Sequence, residues 1–262
     1  MGRIDTSRGA IGYAEAGRGQ TPIVFLHGVG SDKSVWQPQL AHFGAARRAV
    51  AFDYPGYGES DRASDGTTRD DYAAAIFEAL DALGIGRAHV CGLSLGGVIA
   101  IAMHHAAPER CASLILADSF AMHPDGPAIR ERGLNGSRSV GMRAMAEQRA
   151  EFLLAPGASP ELRHDVVETM AAIDPAGFAI GLDAVWLADQ RDRAAAIDVP
   201  TLVLCGDRDL VTPPALSEQL AEQIRNAELV LIEGAGHLSN IEQPAAFNRA
   251  IDAFLESVAE KT

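Results

Sequence analysis

The stretch Val90-Cys91-Gly92-Leu93-Ser94-Leu95-Gly96-Gly97-Val98-Ile99-Ala100 constrains the fold of this chain more than any other. It enters as a β-branched and apolar run, turns within a few residues around one serine, and leaves as a second apolar run. Gly92-Leu93-Ser94-Leu95-Gly96 fits G-x-S-x-G, the turn that lifts a serine above the end of a buried strand. A serine at such a turn is held at positive φ, and a side chain at Gly92 or Gly96 would collide with the adjoining strand and helix. The helix that begins just after Ser94 points its free N–H groups and positive dipole end at the place where an oxyanion would form.

The rest of the chain supplies the same alternation. Short apolar or β-branched runs at 10–16, 23–26, 49–52, 89–92, 113–117, 201–205 and 229–232 read as strands, separated by helical patterns. Ile23-Val24-Phe25-Leu26 and Leu114-Ile115-Leu116 are apolar on both faces, as central parallel strands must be. Tyr72, Ile76, Leu80 and Leu83 recur at helical spacing and end at Gly84. The expectation is an α/β fold, a mostly parallel sheet covered by helices. From Ser119 to Ala195 the strand rhythm stops, and Ala, Met, Leu, Arg and Glu dominate. This stretch reads as a helical cap over the C-terminal edge of the sheet, where open α/β folds bind ligands. The expected division is a core of residues 1–118 and 196–262 and a cap of residues 119–195.

Charge and cysteine content narrow the classes. A formal net charge of -13 argues against nucleic acid and against an anionic membrane surface, since both demand clustered Lys and Arg. Cys91, Cys111 and Cys205 are an odd number, two of them in strand-like runs, and read as buried reduced thiols of a cytoplasmic protein. The first residues hold no apolar signal core, and the uncharged stretch 88–107 is broken by glycines, a serine and histidines. A soluble protein is expected. His104 and His105 look like a metal pair, but adjacent helix residues face different ways and no third ligand stands at useful spacing. No metal and no organic cofactor is implied.

A serine nucleophile needs a base, and the base needs an acid to orient it. Both follow strands downstream: Asp207 and Asp209 after 201–205, and His237 after 229–232 in Gly234-Ala235-Gly236-His237. Asp118, at the end of another strand, is a third candidate acid. Loops at one sheet edge can converge although their residues are far apart in sequence.

With the order Ser…Asp…His, the chain resembles the α/β-hydrolase-fold enzymes along essentially its whole length. It also carries His27-Gly28-Val29-Gly30, similar to the oxyanion loop of that family, and Asp53-Tyr54-Pro55-Gly56-Tyr57-Gly58-Glu59-Ser60, similar to its D-x-x-G-x-G-x-S turn. The resemblance implies Ser94 as nucleophile, His237 as base, and oxyanion donors at the backbone N–H groups of Val29 and Leu95. It favours Asp209 over Asp207 as the acid. His27 reads as a structural residue that bonds within its own loop rather than transferring protons. Serine at the elbow sets the chain apart from relatives that need an aspartate nucleophile.

Within the family the chain looks most like the 3-oxoadipate enol-lactonases. The shared stretches are Gly236-His237-Leu238-Ser239-Asn240-Ile241-Glu242-Gln243-Pro244, Thr212-Pro213-Pro214, Trp36-Gln37-Pro38-Gln39-Leu40, Asp81-Ala82-Leu83-Gly84-Ile85-Gly86-Arg87-Ala88-His89 and Asp174-Pro175-Ala176-Gly177-Phe178. It departs from that group in the oxyanion loop, in Leu95 where methionine is usual, and in Glu151-Phe152-Leu153-Leu154 where an arginine-tryptophan-phenylalanine run is usual. The implied function is cleavage of a small-molecule ester or lactone through an acyl-enzyme. A general carboxylesterase, an acyl-homoserine lactonase and a non-catalytic ligand-binding relative are the alternatives. Residues 126–150 hold Arg130, Arg132, Arg138, Arg143 and Arg149 against Glu131 and Glu147. They form either a solvated helix face or a patch that receives a substrate carboxylate.

Overall fold

A computed structural model describes residues 2–260. Eight strands form one sheet: β1 (Gly2–Thr6), β2 (Gly9–Ala16), β3 (Ile23–Leu26), β4 (Ala49–Phe52), β5 (Ala88–Leu93), β6 (Cys111–Ala117), β7 (Thr201–Gly206) and β8 (Glu228–Ile232). Their spatial order is β1-β2-β4-β3-β5-β6-β7-β8. The two contacts of β2 are antiparallel and the rest of the ladder is parallel. Strands β3, β4, β5, β6 and β7 are buried at every position, which is why they read as unbroken apolar runs rather than alternating ones. β1 is the strand that apolar patterning misses. It is an edge strand with alternating half-buried and exposed residues, and it is held by its ladder to β2 rather than by burial.

Helices α1 (Gln37–Phe43), α2 (Arg69–Ala82) and α3 (Leu95–Ala106) accompany the first half of the sheet. α2 starts on a capping box: the Thr68 hydroxyl accepts from the Asp71 N–H while the Asp71 carboxylate accepts from the Thr68 N–H. Its apolar stripe buries Tyr72, Ile76 and Leu80. Between β6 and β7 the chain forms α4 (Gly126–Ser139), α5 (Gly141–Leu153), α6 (Pro160–Ala171), α7 (Pro175–Trp186) and α8 (Arg191–Ala195). The strandless stretch expected from the sequence is therefore helical, with one isolated bridge between Met122 and Asp189. α9 (Pro214–Gln223), α10 (Ser239–Glu242) and α11 (Pro244–Glu260) complete the chain. No helix of the described residues is long and apolar enough to cross a membrane.

The loops after β3 and β4 are pinned to each other by a buried charge cluster. Asp53 is fully buried and accepts from the Lys33 N–H at 2.8 Å, the Lys33 ammonium at 2.7 Å and the Glu59 N–H at 2.9 Å. Burial works against the Lys33 charge, but its bonds to Asp53 and Glu59 outweigh this and hold its pKa above the usual lysine value. This pairing sets the path of the chain from Gly28 to Lys33. Asp53→Ala leaves a buried ammonium with one half-exposed partner, so it should cost roughly 3–5 kcal/mol of stability. Chemical denaturation of the purified variant measures this, and a loss below about 1 kcal/mol would show the cluster to be dispensable.

Candidate active site

Ser94 sits between β5 and α3 with φ 55° and ψ -113°, a left-handed conformation for a residue with a side chain. Its neighbours hold it there. The Ser94 N–H donates to Ala117 O at 2.9 Å, and its carbonyl accepts from the Gly97 N–H and from the Ser119 hydroxyl, both at 2.9 Å. A Cβ at Gly92 would overlap Gly96 O, and one at Gly96 would overlap Leu26 O. The glycines thus let α3 lie against its own strand and against β3.

Asp209 and His237 arrive from the loops after β7 and β8. Asp209 is buried, and its Oδ1 accepts the N–H groups of Val211 and Thr212 at 2.7 and 2.9 Å. Its Oδ2 accepts the Thr212 hydroxyl at 2.6 Å and lies 2.8 Å from His237 Nδ1. Burial pushes the Asp209 carboxyl up, but the His237 imidazole and the two bonds from Thr212 pull harder, and its pKa falls below the usual value. For His237 burial pushes down, and the Asp209 charge and hydrogen bond outweigh it, so its pKa lies above 6.5. An imidazole whose Nδ1–H is engaged by a carboxylate offers Nε2 as its free acceptor.

Ser94 and His237 line one cavity of about 440 Å³. Its floor comes from the sheet loops, including Val29, and its far wall from Arg149, Leu153, Met170 and Trp186 of the helices between β6 and β7. The N–H groups of Val29 and Leu95 have no acceptor among the described residues. The two halves are also tied directly. The His237 N–H donates to Leu153 O at 2.8 Å, and Glu242 accepts the N–H groups of Gly236 and Ala155 at 2.9 and 2.7 Å.

A sequence model of the alpha/beta hydrolase family matches residues 23–250. The chain belongs to that family. It is 31% identical over 238 residues to 3-oxoadipate enol-lactonase 1 of Acinetobacter baylyi, covering 90% of this chain and 89% of that protein. The enol-lactonase from Burkholderia xenovorans LB400 superposes with a TM-score of 0.92 at 28% identity, covering 97% of this chain and all of that one. A thermophilic esterase from Thermogutta terrifontis is equally similar, with a TM-score of 0.91, 28% identity, and coverage of 98% and 99%.

Among the three candidate acids, only Asp209 meets His237. Asp207 is exposed and accepts the Gly234 N–H at 2.7 Å. Asp118 is buried and accepts the Gly206 N–H at 2.8 Å and the Ser239 hydroxyl, and burial together with the nearby Asp209 charge pushes its carboxyl up to about 8. His27 is buried and its Nδ1–H donates to Gly28 O at 2.8 Å, a bond within its own loop, and burial lowers its pKa. His104 is buried against Asp198 while His105 is exposed, so the adjacent histidines face different ways. Asp118, Cys205 and Asp209 bring donor atoms within 4.8 Å of one another, but each is engaged by protein groups and burial pushes the Cys205 thiol far up. Such a thiol is a poor metal ligand.

Sequence reasoning missed Thr212, Ser119 and Glu242. Thr212, three residues after Asp209, follows a spacing at which a carboxylate caps a local turn. Ser119 and Glu242 carry no local signal, because their partners come from other loops.

The coupling of His237 to Asp209 can be read by NMR. His237 should titrate with a midpoint above 6.5, and Asp209→Asn should move that midpoint down. The sign is that of a raised base: the stability from this pair is present below 6.5 and is lost as pH rises through the folded-state value. A midpoint in the wild type at or below that of an unfolded histidine would contradict the pairing.

Proposed function

We propose that this chain hydrolyses a small carboxylic ester or lactone through an acyl-enzyme on Ser94. The observation that carries the reading is the convergence in one cavity of a left-handed serine at a helix start and a histidine bonded to a buried carboxylate. Ser94 Oγ attacks the carbonyl carbon as His237 Nε2 takes the serine proton, and Asp209 holds the Nδ1–H tautomer and stabilises the imidazolium. The carbonyl oxygen gains charge between the N–H groups of Val29 and Leu95, the second at the positive end of α3. The tetrahedral intermediate collapses, and the proton on His237 passes to the leaving alkoxide or enolate. Water, deprotonated by His237, then cleaves the acyl-enzyme and regenerates Ser94. For a lactone the acyl and leaving groups are one molecule, so a single hydroxy or keto acid leaves.

The similarity to enol-lactonases supports a lactone of the 3-oxoadipate enol type as the substrate. An open-chain ester is the second reading, favoured by the equally close fit to the Thermogutta esterase. On this reading residues 119–195 act as a cap that supplies the far wall of the cavity to a core of residues 1–118 and 196–262. The three cysteines are free and buried, which supports a reducing, cytoplasmic setting.

Ser94→Ala should reduce hydrolysis of an aryl ester by about 10³-fold or more, and a fluorophosphonate should label the wild type stoichiometrically at Ser94. Clean variant protein that still turns over, or wild type that resists labelling, would refute the assignment and leave a ligand-binding relative. Asp209→Asn should cost far more activity than Asp207→Asn, because only the former breaks the bond that sets the His237 tautomer. Activity should fall toward acid on a limb above 6.5, where His237 becomes protonated. A profile flat to about pH 4, the range of an ordinary carboxylate, would point to a carboxylate base instead.

A further inference from the structure

Five arginines lie in residues 126–150 of a chain whose net charge is -13, and the structure divides them. Arg130 is bonded to Asp183 at 2.6 Å, and Arg143 holds Glu168 through two bonds of 2.7 and 2.8 Å. Arg149, on α5, has no acceptor among the described residues, and its Nε is sealed from solvent without a partner. Arg132, on α4, is exposed and likewise has no carboxylate partner among them. Arg132 and Arg149 line one and the same cavity, and burial together with the Arg132 charge lowers the pKa of Arg149.

Arg149 is also the place where two cavities meet. It lines the cavity that contains Ser94 and His237, and with Leu153 it lines a second cavity of about 350 Å³ that contains Arg132. The Arg149 charge is felt at His237, where it lowers the imidazole pKa against the pull of Asp209. Asp165 and Glu168 stand on α6 at the first cavity, but Asp165 is exposed there and Glu168 is taken by Arg143. Arg149 is half-buried, its sealed Nε is left without an acceptor, and a bound carboxylate supplies the two oxygens its planar fork can hold.

We propose that Arg149, assisted by Arg132 across the wall between the cavities, is the receptor for a carboxylate carried by the substrate. The substrate class is then a lactone or ester with a free carboxylate at the far end of its acyl chain. This rests on the Ser94 reading for its catalytic consequence, but not for binding. The carboxylate docks on Arg149 and the scissile carbonyl reaches Ser94, so the spacing between the two groups is the specificity ruler. Arg132 adds field from an exposed position, and its share is screened by salt.

The test uses mono-aryl esters of a dicarboxylic acid series and the neutral aryl esters of the matching alkanoic acids. The wild type should prefer the anionic member at one chain length, and Arg149→Ala should lower the anionic-to-neutral ratio of kcat/KM by about 10²-fold. Arg149→Met, which keeps the apolar stem, should lower it to a similar extent, Arg149→Lys less, and Arg132→Ala about threefold with a weaker salt dependence. Neither neutral replacement at Arg149 should lower the melting temperature appreciably, since no protein partner is lost. Binding is read separately in Ser94→Ala by calorimetry with the same esters. Arg149→Met in that background should weaken the anionic ester about 10²-fold and the neutral one far less. If Ser94→Ala turns over while this binding difference persists, the catalytic reading fails and the receptor stands. A neutral preference at every ionic strength, or an unchanged ratio in Arg149→Met, overturns the receptor. So does inorganic phosphate, used as a free anion, if it competes with the neutral and the anionic ester alike.

Discussion

A serine held at φ 55° between a fully buried strand and a buried helix is an expensive backbone state, and the surrounding structure is arranged to impose it. Gly92 and Gly96 remove the two side chains that would keep α3 away from β5 and β3. The Ser94 carbonyl is caught from two sides, and its N–H is bonded to the neighbouring strand β6. The sheet supplies the force that holds the turn: Cys91 to Leu93 pair with Ile115 to Ala117 in register, so the turn cannot relax without breaking the central ladder. The same geometry leaves the first N–H of α3 unpaired and directed outward, which is the property the proposed oxyanion site uses.

Asp53 and Asp209, both buried, and Glu242, half-buried, have different partners. Asp53 meets an ammonium, Asp209 an imidazole and two N–H groups, and Glu242 two N–H groups that join the His237 loop to Ala155. Asp118, beside Asp209 and with no cation in contact, is driven toward its neutral form. Two nearby carboxyl groups whose environments push their pKa values apart have different chemistry available to them. Here the one kept ionised is the one bonded to the histidine.

The cavity itself belongs to neither half of the structure. Val29, Ser94 and His237 come from sheet loops, whereas Leu153, Met170, Trp186 and Arg149 come from the helices between β6 and β7. The bond from His237 N–H to Leu153 O makes the position of the histidine depend on where α5 ends. Substitutions at the end of α5 can therefore act on the histidine as well as on ligand shape.

Periodicity was sufficient for seven strands; in β3 to β7 burial on both sides leaves an unbroken signature in the residues themselves, while β2 and β8 are only partly buried and are legible from their apolar and β-branched composition. Ile23–Leu26 and Ala49–Phe52 have the expected bounds, and the other five extend them by a residue or two, for example 89–92 against Ala88–Leu93. β1 escaped because an edge strand with one polar neighbour needs no apolar pattern. Ser94 and His237 stood out through glycines whose absent side chains have a local steric reason. The choice among Asp118, Asp207 and Asp209 did not follow from residue types, since all three follow strands; it depends on which loop, and which position within the loop after β7, turns toward His237, and that is a matter of tertiary approach. Five arginines in one stretch are equal in the sequence. Only folding shows that Asp183 and Glu168 neutralise two of them and that Arg149 faces the cavity unpaired, because the acids that decide this come from other helices.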